Sequence, residues 1–296
     1  MLLVLTRPAY QGRFFFTHNL VCVRVYCYAD SMSQYLDYAM RLARQAGDII
    51  RRDFTTVMEK KWKADDTPLT KTDLAVNQLV LDSVKAAFPD HSILSEEGSD
   101  FREASEFVWV CDPLDGTIPF SHGIPVCAFS LALVHNGESI LGVVYDPFMD
   151  RMFVAEKGRG AFLNREKISV SSQSMFRHAL FSVVHWNGAP FDFSRMATVL
   201  KNEGARISNI SISYMGVLVA AGAFAGTIFP GDQPNDTAAI KVLVEEAGGT
   251  VTDIFGNEQR YDRPIKGHVV SNGVLHRKLL ALITETLPTQ QKRDSA

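Results

Sequence analysis

Residues 109–117, Trp-Val-Cys-Asp-Pro-Leu-Asp-Gly-Thr, carry two carboxylates three positions apart, directly after an apolar run. Residues 107–111 predict a buried strand, which Pro113 would end because proline lacks the backbone N–H that a sheet needs. Gly116 allows the chain to turn and to approach a ligand closely, and Thr117 supplies a hydroxyl. Such a segment can hold a hard divalent cation beside a water molecule, although Asp, Pro and Gly are also ordinary turn residues.

Further segments place acids beside the predicted ends of secondary structure. Residues 92–94 predict a short strand that runs into Ser-Glu-Glu-Gly at 95–98. Residues 234–239, Pro-Asn-Asp-Thr-Ala-Ala, open a helix whose apolar positions follow helical spacing and which Gly248 and Gly249 terminate. Acids at the ends of several helices and strands can together form a site built from carboxylates.

Two of these acids lie where helices begin. Residues 63–73 form a loop rich in acids and Thr that leads into a helix starting near Thr72 or Asp73. Asp236 stands near the N-terminus of the later helix. Because Asp is a common N-cap, each of these residues taken alone is interpreted as a cap. A capping acid can also serve as a metal ligand, so both interpretations stay open at this point.

Together these segments resemble the inositol monophosphatase family of Mg²⁺-dependent, lithium-sensitive phosphatases. The resemblance spans roughly residues 32–280, and the motifs follow one another in the family's order and spacing. In this chain the motifs are Asp-Asp-Thr-Pro-Leu-Thr-Lys-Thr-Asp at 65–73, Ser-Glu-Glu at 95–97, Asp-Pro-Leu-Asp-Gly-Thr at 112–117, Asn-Asp-Thr-Ala-Ala at 235–239 and Glu-Ala-Gly-Gly at 246–249.

The resemblance implies a role for each motif residue. The implied metal ligands are the carboxylates of Glu96, Asp112, Asp115 and Asp236 and the backbone carbonyl of Leu114. The implied catalytic residues, which orient and activate the attacking water, are Asp73, Thr117 and Glu96. The implied substrate-binding residues are Asp115, Gly116, Thr117, Ser211 and Asp236. The resemblance also implies two or three Mg²⁺ ions, with Mn²⁺ as an alternative; oxygen ligands suit both metals, and no His or Cys cluster suits zinc.

The chain departs from the family's pattern around the substrate. Residues 118–120 are Ile-Pro-Phe, Asn235 replaces the usual Trp, and Ile210 replaces the Gly before Ser211. Phe229 stands where inositol-specific members carry a Glu that contacts the ring. The sequence therefore predicts a Mg²⁺-dependent phosphomonoesterase, inositol-1-monophosphatase-like, with histidinol phosphate, a sugar bisphosphate or an adenosine bisphosphate as alternative substrates. A further alternative is a non-catalytic, metal-binding member of the family.

The composition is typical of a soluble globular protein. The 296 residues are 46% hydrophobic and 21% charged, with a net charge of −3 and no basic stripe that would indicate nucleic-acid or membrane-surface binding. Four cysteines do not make a disulfide framework, so we expect a cytoplasmic location. Residues 207–231 carry no formal charge, but Ser and Asn interrupt them. We therefore predict a buried helix followed by a strand there, and no membrane span.

The chain divides into a body and two terminal segments. Residues 1–31 contain three Arg and one acid, and we expect them to be an N-terminal extension without a function. Residues 32–287 are predicted to form the catalytic domain, with subdomains of about 32–180 and 181–287, and residues 288–296 a loose tail. The resemblance also implies a homodimer that acts on a small phosphorylated metabolite.

Hydrophobic patterning predicts a fold of the α/β class, with helices and sheets in separate layers as in α+β proteins. Amphipathic helices are expected over 35–54 and 73–88, and Ser33 is a plausible N-cap for the first. Strands are expected at 126–135, 140–145, 152–156 and 161–163, after which strands alternate with helices. This order indicates a mostly antiparallel first sheet and a mixed second sheet, and the resemblance implies an αβαβα sandwich.

Overall fold

The computed structural model describes residues 33–56, 58–64, 66–102, 105–186 and 188–287, so the predictions for 1–31, Asp65 and 288–296 lie outside the described residues. In chain order the helices are α1 Gln34–Asp53, α2 Lys71–Ala87, α3 Thr117–Ser121, α4 Ser194–Asn202, α5 Ile212–Ala220, α6 Ala238–Glu246 and α7 His276–Thr286. The strands are β1 Lys60–Trp62, β2 Pro68–Thr70, β3 Ser92–Ser95, β4 Phe107–Asp115, β5 Ala128–His135, β6 Glu138–Asp146, β7 Arg151–Glu156, β8 Gly160–Leu163, β9 Glu166–Lys167, β10 Leu180–Val183, β11 Arg206–Ile207, β12 Gly226–Phe229, β13 Thr250–Thr252 and β14 His268–Ser271.

The strands form two main sheets and a small hairpin. The larger sheet has the order β3-β4-β5-β6-β7-β8-β9, and only its β3–β4 pair is parallel. The smaller sheet has the order β11-β10-β12-β14-β13, in which β10 runs parallel to β11 and β12 while the remaining pairs are antiparallel. β1 and β2 pair separately as an antiparallel hairpin. The predicted antiparallel first sheet and mixed second sheet are confirmed.

Helices cover both sheets and fill the space between them. α1 and α2 pack on one face of the larger sheet, against β4, β5 and β6. α6 contacts β5, β6 and β7 on one side and β13 and β14 on the other, and α5 contacts both β6 and β12. α4 and α7 cover the outer face of the smaller sheet. The resulting layers confirm the αβαβα sandwich, with a continuous apolar core between the sheets.

The first helix follows its sequence signals closely. The Ser33 hydroxyl accepts a hydrogen bond from the Leu36 N–H at 3.3 Å, as expected of an N-cap. The buried face of α1 consists of Leu36, Ala39, Leu42, Ala43, Ala46, Gly47 and Ile50. Gly47 lies so close to the sheet that a Cβ there would stand 2.4 Å from Cε1 of Tyr145. The helix predicted over 35–54 is thus confirmed to within one residue.

The predicted end of β4 at Pro113 is wrong. The strand continues to Asp115, and its pairing with β5 is irregular between Asp112, which faces Ser130, and Asp115, which faces Ala128. A proline fits inside a strand at such an irregularity because the ladder is locally interrupted and its missing N–H leaves no bond unmade. The irregularity places both carboxylates at the end of a buried strand, where they are 4% and 7% exposed.

Close packing sets the position of α6 on the larger sheet. A Cβ at Gly142 of β6 would lie 2.6 Å from the carbonyl oxygen of Ala239 and 2.9 Å from its Cα. Only a glycine allows the helix backbone to approach the strand this closely. Asp236 lies two residues before α6, in a segment that also contacts β4, the strand that carries Asp112.

The uncharged stretch 207–231 is an interior element. It forms α5, whose residues from Ser213 to Ala220 are buried, followed by the buried strand β12. In the part of the chain that the structure describes, no helix has the length and apolarity needed to cross a bilayer. The prediction of a buried helix followed by a strand is confirmed.

Candidate functional site

Asp73 lies at the start of α2 and is held from two sides. Thr70 caps the helix: its hydroxyl accepts from the Thr72 N–H at 3.2 Å, and its own N–H donates to Oδ2 of Asp73 at 2.9 Å. Oγ1 of Thr117 lies 3.0 Å from Oδ1 of Asp73 and 2.9 Å from the carbonyl oxygen of Leu114. Burial raises the pKa of Asp73. The interpretation of Asp73 as the N-cap is therefore wrong, because Thr70 is the N-cap and Asp73 is the third residue of α2. Asp73 contacts Thr117, its expected partner.

Asp112 lies in the irregular part of β4 with its carboxylate turned inward. Its Oδ1 accepts the Leu114 N–H at 3.0 Å. Burial raises the pKa of Asp112 well above its ordinary value, and the neighbouring carboxylates of Glu96, Asp115 and Asp236 raise it further. These four acids, which come from three separate segments of the chain, lie close enough to repel one another.

Asp115 contacts the N-terminus of α5. Its Oδ1 accepts the Ile212 N–H at 3.1 Å, while its Oδ2 accepts the N–H groups of Ser213 and Tyr214 at 2.9 and 3.2 Å. Burial raises the pKa of Asp115 to about 6, and the three N–H donors oppose this rise. The carboxylate thereby satisfies helix donors that would otherwise be unpaired.

Gly116 and Ser211 come together beside Asp115. Gly116 has a φ of +93°, and a Cβ there would lie 3.0 Å from the Val126 carbonyl oxygen and 3.1 Å from Cβ of Ser211. A side chain at this position would thus be both strained and crowded. Gly116 precedes the first residue of α3, Thr117. Of the predicted substrate-binding residues, Asp115, Gly116 and Ser211 are therefore packed together, with Thr117 next in the chain.

Asp236 occupies a short 3-10 turn, Pro234–Asp236, just before α6. Thr237 holds the N-cap position of that helix, so the interpretation of Asp236 as its cap is wrong. Burial raises the pKa of Asp236 well above its ordinary value, and the charges of Asp115 and Glu96 raise it further. The acid at this helix end faces other acids, which is the arrangement expected of a ligand group.

Glu96 is engaged by a lysine that the sequence analysis did not single out. Nζ of Lys63 lies 2.7 Å from Oε1 of Glu96 and 2.9 Å from Oε1 of Glu97. The Glu97 side chain is the more buried of the two acids, and burial raises its pKa while Lys63 lowers it. Lys63 thus carries a positive charge to the edge of an otherwise acidic site.

The donor set fits a divalent cation, although the described residues do not enclose one. Within them, no group of three or more Asp, Glu, His or Cys side chains lies close enough to hold one metal ion. The cause is visible in the contacts, because the Asp115 carboxylate faces the α5 amides and that of Glu96 faces Lys63. Carboxylate and carbonyl oxygens are nevertheless the ligands that Mg²⁺ and Mn²⁺ prefer. A cation would also offset the mutual repulsion that raises the pKa values of Asp112 and Asp236.

The predicted residues fall into two connected groups. One is joined by hydrogen bonds and comprises Asp73, Thr117 and Leu114. The other is coupled through charge and comprises Glu96, Asp112, Asp115 and Asp236, with Gly116 and Ser211 beside Asp115. Of the residues that were missed, Thr70 has a local signal, since Thr at 70 and an acid three positions later form a capping box. Lys63 has none, because its partners lie 33 and 34 positions away.

Phe229 belongs to a buried cluster behind the site. It is fully buried, and its ring stacks on that of His268 with centroids 4.3 Å apart. Nδ1 of His268 lies 3.1 Å from Oγ1 of Thr237 and also contacts Nε2 of Gln259. Burial lowers the pKa of His268 to about 3, so the ring is neutral at physiological pH.

The buried His268 predicts a pH dependence of stability. In the unfolded chain His268 binds a proton near its ordinary pKa of about 6.5, whereas in the folded protein it does so only near 3. The free energy of unfolding should therefore fall as the pH drops from about 6.5 towards 3, by up to about 1.4 kcal/mol per pH unit. We would measure urea unfolding at pH 7, 6 and 5 for the wild type and for His268→Gln. The variant should show a shallower slope, and identical slopes would contradict the prediction.

Comparisons with known proteins agree with this geometry. A sequence profile described as the inositol monophosphatase family matches residues 31–291. The chain is 34% identical over 261 residues to the fructose-1,6-bisphosphatase/inositol-1-monophosphatase of Thermotoga maritima, covering 85% of this chain and 96% of that protein. It is also 34% identical over 281 residues to the Nus factor SuhB of Pseudomonas aeruginosa, covering 88% of this chain and all of that protein. The structure of an IMPase from Thermotoga maritima superimposes with a TM-score of 0.79 at 31% identity, covering 86% of this chain and 98% of that one.

Proposed function

The chain belongs to the inositol monophosphatase family, and from this premise we propose that it is a metal-dependent phosphomonoesterase of a small phosphate ester. One observation supports the proposal most strongly. The Thr117 hydroxyl contacts the buried Asp73 carboxylate at 3.0 Å, beside the mutually repelling acids Asp112, Asp115 and Asp236. This contact supports a role for the pair in orienting water next to the proposed oxygen ligands.

We propose Mg²⁺ as the cofactor, with Mn²⁺ as a possible substitute. The residues that would hold it are the side chains of Glu96, Asp112, Asp115 and Asp236 and the carbonyl of Leu114. When bound, the cation would lower the pKa of water and offset the negative charge that develops on the phosphate.

The chain's own residues would position the water and the ester. Thr70 fixes Asp73 through the capping box, and Asp73 in turn accepts from the Thr117 hydroxyl. With its hydrogen donated to Asp73, the Thr117 oxygen can accept a hydrogen bond from water and aim that water at phosphorus. The left-handed φ of Gly116 allows the turn at this point, and the backbone N–H groups of Gly116 and Thr117 would bind the phosphate there.

The substrate class is a small anionic ester. An inositol phosphate is the first expectation, and histidinol phosphate, a sugar bisphosphate and an adenosine bisphosphate are the alternatives. The name of the Thermotoga maritima relative joins two of these activities, since it is called both a fructose-1,6-bisphosphatase and an inositol-1-monophosphatase. A homodimer, lithium sensitivity and a cytoplasmic location stay predictions drawn from the resemblance and the composition.

Phosphate release from this panel of esters tests the function. We expect turnover of at least one ester with Mg²⁺, its loss when a chelator is added, and its return when Mg²⁺ is restored in excess. Release that persists in the chelator would contradict the metal requirement. The absence of release from every ester by folded, Mg²⁺-supplied protein would contradict the phosphatase proposal.

A non-catalytic member of the family is the second candidate. The fully buried Phe229 favours it, since this residue replaces a polar contact with an apolar one beside the site. The Pseudomonas aeruginosa relative is named a Nus factor, a name that specifies no hydrolytic reaction. Metal binding detected by calorimetry without hydrolysis of any ester would support this candidate over the enzyme.

A further inference from the structure

Three residues with exposed apolar side chains lie next to candidate-site residues, one in space and two in the chain. Trp186 is 46% exposed, Ile118 is 58% exposed and Ile210 is 38% exposed. Ile118 and Ile210 directly adjoin Thr117 and Ser211 in the chain. Ligand sites commonly combine apolar walls with a few well-placed polar groups. We call Asp112, Asp115 and Asp236 the acidic centre. Apolar side chains next to this centre indicate a substrate that presents its phosphate to the acids and an apolar surface to Trp186, Ile118 or Ile210.

Gly231 brings Trp186 next to the acidic centre. A Cβ at Gly231 would lie 2.8 Å from Oδ2 of Asp236 and 3.8 Å from Cη2 of Trp186. The indole and the carboxylate thus flank one residue that has no side chain to separate them. A molecule bound at Asp236 can extend over Gly231 and reach the half-exposed side chain of Trp186.

Next to Gly231 the chain also carries an aromatic side chain that offers a polyol no hydrogen bond. Cδ2 of Phe229 lies 3.7 Å from the Cβ position of Gly231, and Phe229 is stacked on His268 in the interior. A ring of hydroxyl groups needs hydrogen-bond partners when it leaves water, and unmade hydrogen bonds are costly. A flat, apolar ring has no such requirement and gains free energy by packing against indole.

We propose that Trp186 is a specificity-determining residue that packs against a planar ring in the alcohol portion of the ester. Among the candidate esters of the proposed function, this role favours a phosphomonoester whose leaving alcohol carries an aromatic or heteroaromatic ring over an inositol phosphate. The inference rests on the proposed function, because it requires the phosphate to bind at the acidic centre. Indole is suited to this role since it offers a large rigid face at a small cost in conformational entropy.

A matched pair of esters tests the proposal. Benzyl phosphate and cyclohexylmethyl phosphate share a carbon skeleton and a primary leaving alcohol, but only the first has a planar ring. We would measure kcat and KM for both, and for inositol 1-phosphate, with Mg²⁺ in the wild type, Trp186→Ala and Trp186→Phe. We expect the wild type to prefer benzyl phosphate in kcat/KM by about tenfold, mainly through KM. The ratio of kcat/KM for benzyl phosphate to kcat/KM for cyclohexylmethyl phosphate should approach one in Trp186→Ala. It should stay close to the wild-type ratio in Trp186→Phe.

The outcomes separate this inference from the proposed function. If the wild type hydrolyses inositol 1-phosphate but shows no preference for benzyl phosphate, the inference is overturned and the phosphatase stands. If Trp186→Ala keeps the full preference for benzyl phosphate, Trp186 is not a specificity residue. A change in its size-exclusion elution volume with an unchanged preference would assign Trp186 a structural role instead. If the wild type hydrolyses none of the esters with Mg²⁺, the phosphatase proposal and this inference fall together.

Discussion

Asp112→Asn should reduce Mg²⁺-dependent phosphate release by about 10³-fold or more while leaving the fold intact. The estimate follows from the several kcal/mol that metal ions contribute to stabilising the charge of a phosphoryl transition state, at about 1.4 kcal/mol per factor of ten. The Asn side chain keeps an oxygen that can accept the Leu114 N–H, which lies 3.0 Å from Oδ1 of Asp112. The substitution therefore removes charge from the site with little change in shape.

The same variant should be more stable than the wild type when a chelator is present. Burial and the charges of Glu96, Asp115 and Asp236 oppose ionisation of Asp112, so an uncharged amide relieves an electrostatic cost in the folded state. Thermal unfolding with chelator and with Mg²⁺ would show both effects, namely a higher Tm in chelator and a smaller gain in Tm on adding Mg²⁺.

Asp253→Asn provides a control for the loss of a buried acid. Asp253 is 9% exposed, and its carboxylate accepts the N–H groups of Phe255 and Asn257 at 2.9 and 2.8 Å, in the turn that follows β13. This control should retain activity. Full metal-dependent turnover in Asp112→Asn would remove Asp112 from the set of metal ligands.

Thr117→Val should lower kcat by about 10²- to 10³-fold with a much smaller effect on KM. Valine has nearly the shape of threonine but no hydroxyl, so the contact with Asp73 at 3.0 Å is lost. Positioned proton acceptors and donors contribute about 10²- to 10⁴-fold to a rate. Because the four carboxylate ligands Glu96, Asp112, Asp115 and Asp236 are untouched, and only the contact of the hydroxyl with the Leu114 carbonyl is lost as well, the concentration of Mg²⁺ that gives half-maximal activity should change little.

Thr117→Ser is the matched control for this prediction. Serine restores the hydroxyl without the methyl group, and it should recover most of the lost kcat. Equal kcat values in Thr117→Val and the wild type would exclude the hydroxyl from the reaction. A rise in KM at constant kcat would instead assign Thr117 to substrate binding.

Local sequence signals were sufficient for most elements of the fold. The apolar spacing and Ser33 predicted α1 to within one residue, and the alternation of strand and turn signals predicted the hairpins of the larger sheet. Asp73 was also accessible to local reasoning, since its role in the capping box depends on Thr70, three positions earlier. In each case the partners are close in the chain, so short-range geometry determines the contact.

Contacts between distant segments were not accessible in this way. The continuation of β4 through Pro113 depends on its irregular pairing with β5, which no property of the proline itself reveals. The attachment of Asp115 to the N-terminus of α5 joins residues 97 to 99 positions apart. The ion pairs of Lys63 with Glu96 and Glu97 likewise depend on where separate loops come to lie.

The sequence by itself determined which chemical groups the site contains, because the carboxylates, the Thr hydroxyl and the enabling glycine are read directly from motif residues such as Asp112, Thr117 and Gly116. It also determined the layered fold, through the periodicity of its apolar residues. Only the tertiary structure decided how each group is engaged and what borders it, such as the helix N-terminus at Asp115 and the exposed ring of Trp186 near Asp236. The reason is physical: composition and spacing act over a few residues, whereas burial, pKa and contact are set by all the segments that pack around a side chain.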